Sequence, residues 1–169
     1  MRQKKSKLAT FLSKNVGNLL VWMVIGYFGW VVVTAFMGRV RYVREGMAQE
    51  YVRSYNKRQE AYLAKKSVFS TSLKPLKVYI NADPENYTYC FLVTKQATFN
   101  YAISKQKKHR SFVGGVLVIS ATKVKPNTSK SKIMTKSIVC KTDSVGTIKP
   151  PEPTYQNGNI ACATSTYSR

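Results

Sequence analysis

The chain has 169 residues, with 28 lysine and arginine residues against 7 acidic ones and a formal net charge of +21. Beyond a membrane segment, this length leaves room for one compact domain and too little for two. So large an excess of basic residues favours anionic partners.

The sequence NLLVWMVIGYFGWVVVTAFM, at residues 18–37, contains no charged residue. A helix rises about 1.5 Å per residue, so this run covers most of a hydrocarbon core about 30 Å thick. The run is apolar on every face and is bracketed by Lys14 and Arg39, which argues against a buried core helix. A cleaved signal peptide is the rival, but its apolar region is about 7–15 residues and a small-x-small cleavage site follows it. We therefore predict a retained transmembrane helix at residues 18–38, a basic head at 1–17 and a globular domain at 39–169.

Charge alone does not orient this span. The head carries five basic residues and no acidic one, and the C-terminal flank is nearly as basic, with Arg39, Arg41, Arg44 and Arg53. The positive-inside rule therefore gives no clear answer.

Cysteine usage bears on the orientation. Cys140 and Cys162 flank a proline-rich segment in the loop-rich C-terminal part, where a closing bond would be useful, whereas Cys90 lies in the apolar run YCFLV and is expected to be buried. Two cysteines that only pack are the alternative. A disulfide would place the domain outside the cytoplasm. We predict a Cys140–Cys162 bond, a free Cys90, a cytoplasmic N-terminus and a C-terminal domain in the periplasm or a lumen.

After the span, apolar and aromatic residues recur at helical spacing. They are Val40, Val43, Met47, Tyr51, Tyr55 and Tyr62. The positions between them, Glu45 among them, are polar, so we predict that the helix continues as an amphipathic helix to about Lys65. The tyrosine stripe is interpreted as packing against a sheet, with an aromatic binding face as the alternative.

Four later segments are rich in β-branched and aromatic residues and are separated by short polar loops. They lie at residues 86–94, 98–104, 111–120 and 132–142. Short loops favour antiparallel neighbours. Gly114 and Gly115 fall within the third strand, where they would permit a close backbone approach. The predicted fold is α+β: a long N-terminal helix packed on a small antiparallel four-stranded sheet at about 86–142, with a C-terminal loop at 143–169 folded back over it.

This architecture resembles that of type IV pilins, and the order of several sequence words resembles pilin-like proteins of cyanobacteria. The words are YVRSYNKRQEAYLAKKSVFS, ENYTY, SFVGGVLVI and SIVCKTDSVGTIKPPEPT followed by IAC, and they cover about residues 50–162. The resemblance implies a pilin-like fold with a C-terminal loop closed by two cysteines.

The N-terminal part departs from the pilin pattern. Pilins that enter the pilus carry a basic leader ending in glycine, then phenylalanine or methionine, and a glutamate near the start of the span that pairs with a neighbour's amino terminus. Here Asn18 follows Gly17, and no acidic residue precedes Glu45. We expect the cleavage and assembly chemistry to be missing, and we interpret the span as an anchor that binds other spans.

Small residues in the span would let another helix approach closely. The candidate contacts are Gly26, Gly29, Thr34 and Gly38, with Trp22 and Trp30 as aromatic contacts. Lipid-facing positions are the alternative for all six. We predict no cofactor, although a pigment contact by the span stays open.

The sequence argues against an enzyme. The single histidine, His109, lies in the basic stretch SKQKKHRS with no second ligand at metal-binding spacing, and it is expected to be a solvated surface residue. A cysteine nucleophile would need a histidine base. Gly114 and Gly115 lie in a strand and do not form a phosphate loop.

Two basic clusters in the predicted loops are the remaining chemical signal. The first holds Lys105, Lys107, Lys108 and Arg110, and the second holds Lys123 and Lys125, with Lys130 and Lys132 beyond them. Their partners would be anionic lipid headgroups or an acidic protein face, and solvated loops are the alternative. DNA is a weaker candidate because no aromatic residues alternate with these bases.

Two functions follow. The first is a non-catalytic, structural or accessory subunit of a larger integral-membrane assembly, for which the cyanobacterial likeness suggests a photosynthetic complex of the thylakoid. The second is a minor type IV pilin in adhesion, motility or DNA uptake.

Overall fold

The computed structural model describes residues 2–78, 83–119, 134–156 and 158–168, with side chains from residue 18 onward. This part of the chain forms the helix α1 (Arg2–Lys66), a 3-10 turn (Lys74–Leu76) and the strands β1 (Tyr87–Val93), β2 (Ala97–Ser104), β3 (Phe112–Ile119), β4 (Met134–Thr142), β5 (Thr154–Gln156), β6 (Asn159–Ala161) and β7 (Thr166–Ser168). The chain divides into two compact units within α1, between Tyr42 and Val43.

The first unit contains the predicted span. The portion Asn18–Lys66 is the one helical stretch of the described chain that is long and apolar enough to cross a membrane, with a mean hydropathy of 2.1 in its most apolar window. No residue of that window is buried. The apolar run is therefore a candidate membrane span by its length and composition.

The second unit contains one main sheet. Its strand order is β1-β2-β3-β4-β7, and each neighbouring pair is antiparallel. The four predicted strands are confirmed, with β7 as an added fifth strand at the edge beside β4. Sequence analysis missed β7 because its three residues carry no strand pattern of their own and are aligned by pairing, with Ser168 opposite Cys140.

The part of α1 in the second unit covers one face of this sheet, as the amphipathic pattern predicts. Its buried stripe consists of Glu45, Ala48, Val52, Tyr55, Asn56, Gln59 and Leu63. This stripe is rotated from the predicted one: Val43 is 56% exposed, and Met47, Tyr51 and Tyr62 are only half-buried. The rotation places Ala48, Val52 and two amide side chains at the centre of the contact, keeps Tyr55 buried and puts the Tyr51 and Tyr62 rings at its margins.

The helix approaches the sheet most closely at Gly114. A Cβ atom at this position would lie 2.6 Å from Val52 Cγ1 and 2.7 Å from Asn56 Oδ1. The predicted close backbone approach is therefore present, and the element that approaches is α1. Asn56 Nδ2 bonds the sheet backbone here, donating to Ile138 O at 3.0 Å and to Gly115 O at 3.4 Å.

A second side-chain amide holds the segment that follows the helix. Gln59 Nε2 donates to Ser70 O at 2.8 Å, and Ser70 N donates to Gln59 Oε1 at 2.9 Å. Next to it, Phe69 packs with Leu63 and Val116. The chain is thus fixed to the helix and sheet as it leaves α1.

The C-terminal segment covers the other sheet face, as predicted. Gly115 follows Gly114 in β3 and therefore faces the side of the sheet opposite the helix. A Cβ atom added at Gly115 would lie 3.2 Å from Pro153 Cγ. Tyr101 Oη donates to Glu152 Oε1 at 2.7 Å, and Lys149 Nζ lies 4.7 Å from the centre of the Tyr101 ring. Burial and the Glu152 carboxylate raise the pKa of the Tyr101 hydroxyl, so it remains a donor.

Replacing Gly114 with Ala should destabilise the second unit by about 1–3 kcal/mol, the usual cost of forcing extra atoms into a packed core. The new methyl would press on Val52 and on the amides of Asn56 and Asn100. Urea unfolding followed by near-ultraviolet circular dichroism of the tyrosines measures the change. Gly115→Ala is the matched control and should cost less, because its nearest contacts lie at 3.2 Å or more. Equal stability of the two variants would contradict the proposed contact.

Candidate functional site

Five of the six predicted span contacts lie on one ridge of the helix. Trp22, Gly26, Trp30, Thr34 and Gly38 follow one another at intervals of four residues, and such rows form the ridges with which helices pack. Gly29 lies beside this row. The tryptophans are 71% and 65% exposed, and a Cβ added at any of the three glycines would meet no atom within 4 Å. We call this row the span ridge; it combines two indole rings, at Trp22 and Trp30, with small residues at Gly26, Thr34 and Gly38.

The polar group on the span ridge is already satisfied within the helix. Thr34 Oγ1 lies 3.0 Å from Trp30 O and 2.9 Å from Val31 O, to which its hydroxyl can donate. The hydroxyl therefore needs no partner from outside, and the ridge is compatible with lipid or with another apolar helix. The Tyr27 ring lies 6.5 Å from that of Trp30 and extends the aromatic surface.

A buried ion pair lies where the chain enters the second unit. Lys141 Nζ and Glu45 Oε2 are 2.8 Å apart, and their side chains are only 11% and 10% exposed. The second carboxylate oxygen accepts from Arg110 N at 3.2 Å. Glu45 thereby links α1 to β4 and to the loop before β3.

The prediction that Glu45 belongs to the polar outer face is wrong. Helical spacing alone assigned Glu45 to that face. Its partner Lys141 lies 96 residues away in the sequence, so the ion pair has no local signal. Its charge also acts on Tyr87, whose hydroxyl donates to Arg110 O at 3.2 Å. Burial, and then the Glu45 carboxylate, raise the pKa of the Tyr87 hydroxyl well above its usual value.

The first predicted basic cluster lies in the loop between β2 and β3. Lys105, Lys107 and Lys108 are exposed, and Lys105 Nζ donates to Pro84 O at 2.6 Å. Arg110, in contrast, is half-buried beside Glu45. The cluster is therefore a three-lysine surface. Lys123 and Lys125, with Lys130 and Lys132, lie outside the described residues.

The expectation that His109 is solvated is wrong. The residue is 8% exposed, and its ring stacks on Tyr87 with 6.1 Å between centroids. The loop is held in this position by two backbone bonds, from His109 N to Gln106 O at 3.3 Å and from Gly146 N to His109 O at 2.8 Å. The basic stretch around it indicated a solvent-exposed loop, but the tight turn points this one side chain inward.

The predicted disulfide is present. Cys140, at the end of β4, is bonded to Cys162, and their Cα atoms are 5.7 Å apart. Cys90 is free as predicted, but it is exposed and not buried. It lies on the edge strand β1 opposite Tyr101, on the face away from α1. The apolar run around it indicated burial, and only the sheet order shows that this strand is at the edge.

Sequence analysis also missed the amides Asn56 and Gln59 as buried residues. Both follow the helical spacing of the buried stripe, because Asn56 lies four residues after Val52 and Gln59 lies four residues before Leu63. A pattern search that accepts only apolar residues passes over them. Hydrogen bonds from Asn56 to the sheet and from Gln59 to Ser70 offset the cost of removing these amides from water.

Removing one member of the buried ion pair should destabilise the domain strongly. Lys141→Met leaves the Glu45 carboxylate buried without its cation and should cost about 3 kcal/mol or more. The double variant with Glu45→Gln should recover much of this loss. The exposed pair Arg53–Glu50, at 44% and 53% exposure, is the matched control, and Arg53→Met should cost less than about 1 kcal/mol. Urea unfolding of these three variants and of Glu45→Gln alone tests this, and purely additive losses in the Glu45–Lys141 cycle would contradict the coupling.

Breaking the disulfide should lower the free energy of unfolding by about 2–4 kcal/mol. The variant carries Cys140→Ser with Cys162→Ser, and Cys90→Ser is the control that should leave stability nearly unchanged. Peptide mass mapping without reductant should find Cys140 joined to Cys162 and Cys90 as a free thiol. Three free thiols would show that the native chain lacks the bond.

Comparison with known families agrees with this geometry. The profile of the family described as type IV pilin-like G and H matches residues 45–163, which is more than two thirds of the chain and begins at the buried glutamate. No curated protein and no solved structure matches significantly. The matched region includes the helix–sheet contact, all of β1–β4 and both disulfide cysteines. The chain therefore belongs to the type IV pilin-like G and H family.

Proposed function

We propose that this protein is a non-catalytic, single-pass membrane protein that serves as a structural or accessory subunit of a larger integral-membrane assembly. Its span binds a helix of that assembly, and its pilin-like domain lies outside the membrane. The observation that carries the proposal is the span ridge. In it, the small residues Gly26, Thr34 and Gly38 share one row with Trp22 and Trp30 on an exposed helix surface.

The ridge suits a protein partner better than lipid alone. Apolar attraction does not drive two helices together within lipid, so close packing at small residues supplies the association. Thr34 and Gly38 have the small-xxx-small spacing of such contacts. The indole rings supply large rigid surfaces on either side of the Gly26 notch.

The apolar run also lacks the glutamate that, in pilins, pairs with a neighbour's amino terminus and aligns the subunits in the pilus. Residues 18–37 contain no acidic side chain, and Glu45 is occupied by Lys141 and by Arg110 N within its own domain. A span of this kind is suited to anchoring and to lateral contacts. The resemblance to cyanobacterial pilin-like proteins makes a photosynthetic complex of the thylakoid one candidate assembly.

The three-lysine surface is proposed as a second contact, with anionic lipid headgroups or an acidic protein face. It lies in the loop that also contacts Glu45, near the residues where the chain enters the domain. Exposed lysines there are attracted to a negatively charged surface, and salt weakens that attraction by screening it. The disulfide supports a domain in the periplasm or a lumen and an N-terminus in the cytoplasm, because such bonds persist outside the cytoplasm.

A minor type IV pilin in adhesion, motility or DNA uptake is the second candidate, and the family match itself favours it. The intact mass of the protein isolated from its native membranes separates the two. A mature chain that begins near Asn18 would support the pilin and contradict the retained anchor. A retained head would support the accessory subunit.

Replacing Gly38 or Gly29 with Leu should release the protein from its assembly while leaving it in the membrane, because the added bulk prevents close packing and apolarity is unchanged. Val24→Leu is the control, since residue 24 is two positions from both Trp22 and Gly26 and five from Gly29, and therefore faces another side of the helix. Co-migration in mild detergent, by native electrophoresis and mass spectrometry, measures the result and identifies the partner.

The lysine contact is tested in the same preparation with Lys107→Gln and Lys108→Gln together. This variant should dissociate at a lower salt concentration than the native protein, because fewer positive charges hold it to the negative surface and less screening is needed to release it. If the lysine variant is released and the glycine variants are not, recognition belongs to the outer domain and the span is only a tether. That outcome would overturn the proposed role of the span ridge.

A further inference from the structure

The strand β1 forms an open edge of the main sheet. It pairs with β2 along its whole length, from Tyr87 opposite Ser104 to Val93 opposite Thr98. On its other side it has no strand partner within the described part of the chain. At the opposite end of the sheet, β7 covers part of β4, at residues 140–142. Among the described residues, the longest unpaired stretch of sheet backbone is therefore β1.

Hydrogen bonds at the two ends of the β1–β2 pair show which backbone groups point outward. Thr94 N donates to Ala97 O at 2.8 Å, and Lys105 N donates to Asn86 O at 2.8 Å. Residues 86 and 94 thus both bond toward β2. Because bonded positions alternate along an antiparallel pair, the even-numbered residues of β1 face β2 and the odd-numbered ones present their N–H and C=O groups to the outside.

Three of these odd-numbered positions have free backbone groups, and we call them the outward residues. They are Tyr89, Phe91 and Val93. None of their outward N–H and C=O groups is bonded to the backbone of another described residue. Tyr87 differs from them, because its N–H donates to Asp83 O at 2.9 Å. The central and C-terminal parts of β1 can therefore form main-chain hydrogen bonds with another strand.

The edge at β1 lacks the features that usually protect such a strand. Sheet edges are commonly blocked by charged side chains, by proline or by a bulge. The sequence of β1, YTYCFLV, has no charged residue and no proline, and its register with β2 is uninterrupted. Phe91 and Leu92 are 36% and 46% exposed. The uncovered part of β4, in contrast, carries Lys136. An apolar, unprotected edge of this kind indicates a surface that another strand covers.

Ring contacts restrict how a partner can approach β1. The Tyr51 and Tyr89 rings have centroids 4.3 Å apart, and those of Tyr55 and Phe91 are 5.6 Å apart. These contacts close the gap between α1 and β1, so a partner cannot insert between the helix and the sheet. It can add only beside β1, in the plane of the sheet, where its side chains would meet Phe91 on one face and Leu92 on the other.

Positive charge lies at both ends of this edge. At the start of β1, the three-lysine surface is adjacent, because Lys105 N bonds Asn86 O and Lys105 Nζ donates to Pro84 O at 2.6 Å. At the end of β1, Lys95 is exposed in the turn to β2. An apolar stretch bounded by lysines is complementary to a strand that is apolar in its middle and acidic at its ends.

We propose that β1 receives an extended segment of a partner subunit, which adds to the five-stranded sheet as a further strand antiparallel to β1. The segment is apolar over about five residues, a common strand length. Its acidic C-terminal end lies beside the three-lysine surface. Hydrogen bonds to the outward residues supply affinity, and the charges set the register. This inference rests on the proposed function, because the partner is a subunit of the assembly that the protein joins.

A second copy of this chain fits the edge less well. An antiparallel pair of β1 strands would bring Lys95 of each copy to the three-lysine surface of the other, so that like charges would meet at both ends. The exposed carboxylate of Glu85 offsets only one of these charges at each end. The charge pattern therefore favours a different chain with acidic residues.

Hydrogen–deuterium exchange with single-residue readout tests the added strand in the native protein. In the protein purified alone in detergent, the amides of the outward residues should exchange quickly and those of Cys90 and Leu92 slowly. In the assembly isolated from native membranes, exchange at the outward residues should slow at least about 10-fold, because bonded amides exchange only on opening. The amide of Tyr87, which already has a partner, is the internal control and should not change.

Leu92→Lys tests the same contact by placing a charge on the apolar edge. The variant should dissociate from the solubilised assembly at least about 10-fold faster, because the added strand would bury an unpaired ammonium group. Ile148→Lys is the matched control, since Ile148 is 48% exposed and lies outside the strands, in the C-terminal segment. Near-ultraviolet circular dichroism verifies that both variants are folded. Equal dissociation rates of the two variants would overturn the proposal.

The exchange measurement separates this inference from the proposed function. If the protein is present in the assembly and its outward residues still exchange quickly, the added strand is wrong and the proposed function stands. Slow exchange in the purified protein that depends on its concentration would assign the edge to a second copy. Slow exchange at every dilution would assign it to another part of the same chain, and either result overturns the inference. A protein found without any other subunit would overturn both proposals.

Discussion

The contact of α1 with β3 depends on the missing side chain at residue 114. Val52 and Asn56 occupy the space that a methyl group would need, so the helix can lie against the strand backbone itself. This proximity lets Asn56 reach Ile138 O on the next strand. It also places Asn56 Oδ1 beside Asn100. One glycine thus determines the separation of the two layers and the position of the amide network between them.

The helix–sheet interface is unusual in how much polar chemistry it contains. Glu45, Asn56 and Gln59 are all at least nine-tenths buried, and each has partners on another element. Polar groups in such a place stabilise one register over others, because sliding the helix by a turn would leave them without partners. The three residues are distributed from the start of the domain to the last turns of α1. Together they fix the helix along its length, whereas apolar side chains alone would tolerate small shifts.

Much of the fold could be predicted because it follows from periodicity. The long helix, the four main strands, the close approach at the double glycine and the disulfide all have local signals in the sequence. The errors concern residues whose surroundings are set by distant parts of the chain. Glu45 depends on Lys141, the burial of His109 depends on the ring of Tyr87, and the exposure of Cys90 depends on β1 being an edge strand. The span ridge was only partly recognised, because the six residues were chosen by residue type and the row that five of them share was not noticed. The hydrogen bond between Asn100 and Asn56 likewise has no local pattern in the sequence.

The pairing of β7 with β4 makes the outer edge of the sheet sensitive to its surroundings. β7 covers β4 only at residues 140–142, and the segment leading into it is attached to β4 by the Cys140–Cys162 bond. In a reducing compartment that attachment would be lost, and the hydrogen-bonding groups at this end of β4 would become a free template for other strands. A chain with these two thiols reduced would then be prone to aggregate. Oxidation of the two thiols to a disulfide would therefore act as a folding checkpoint, because it gives an inert sheet edge only in an oxidising environment.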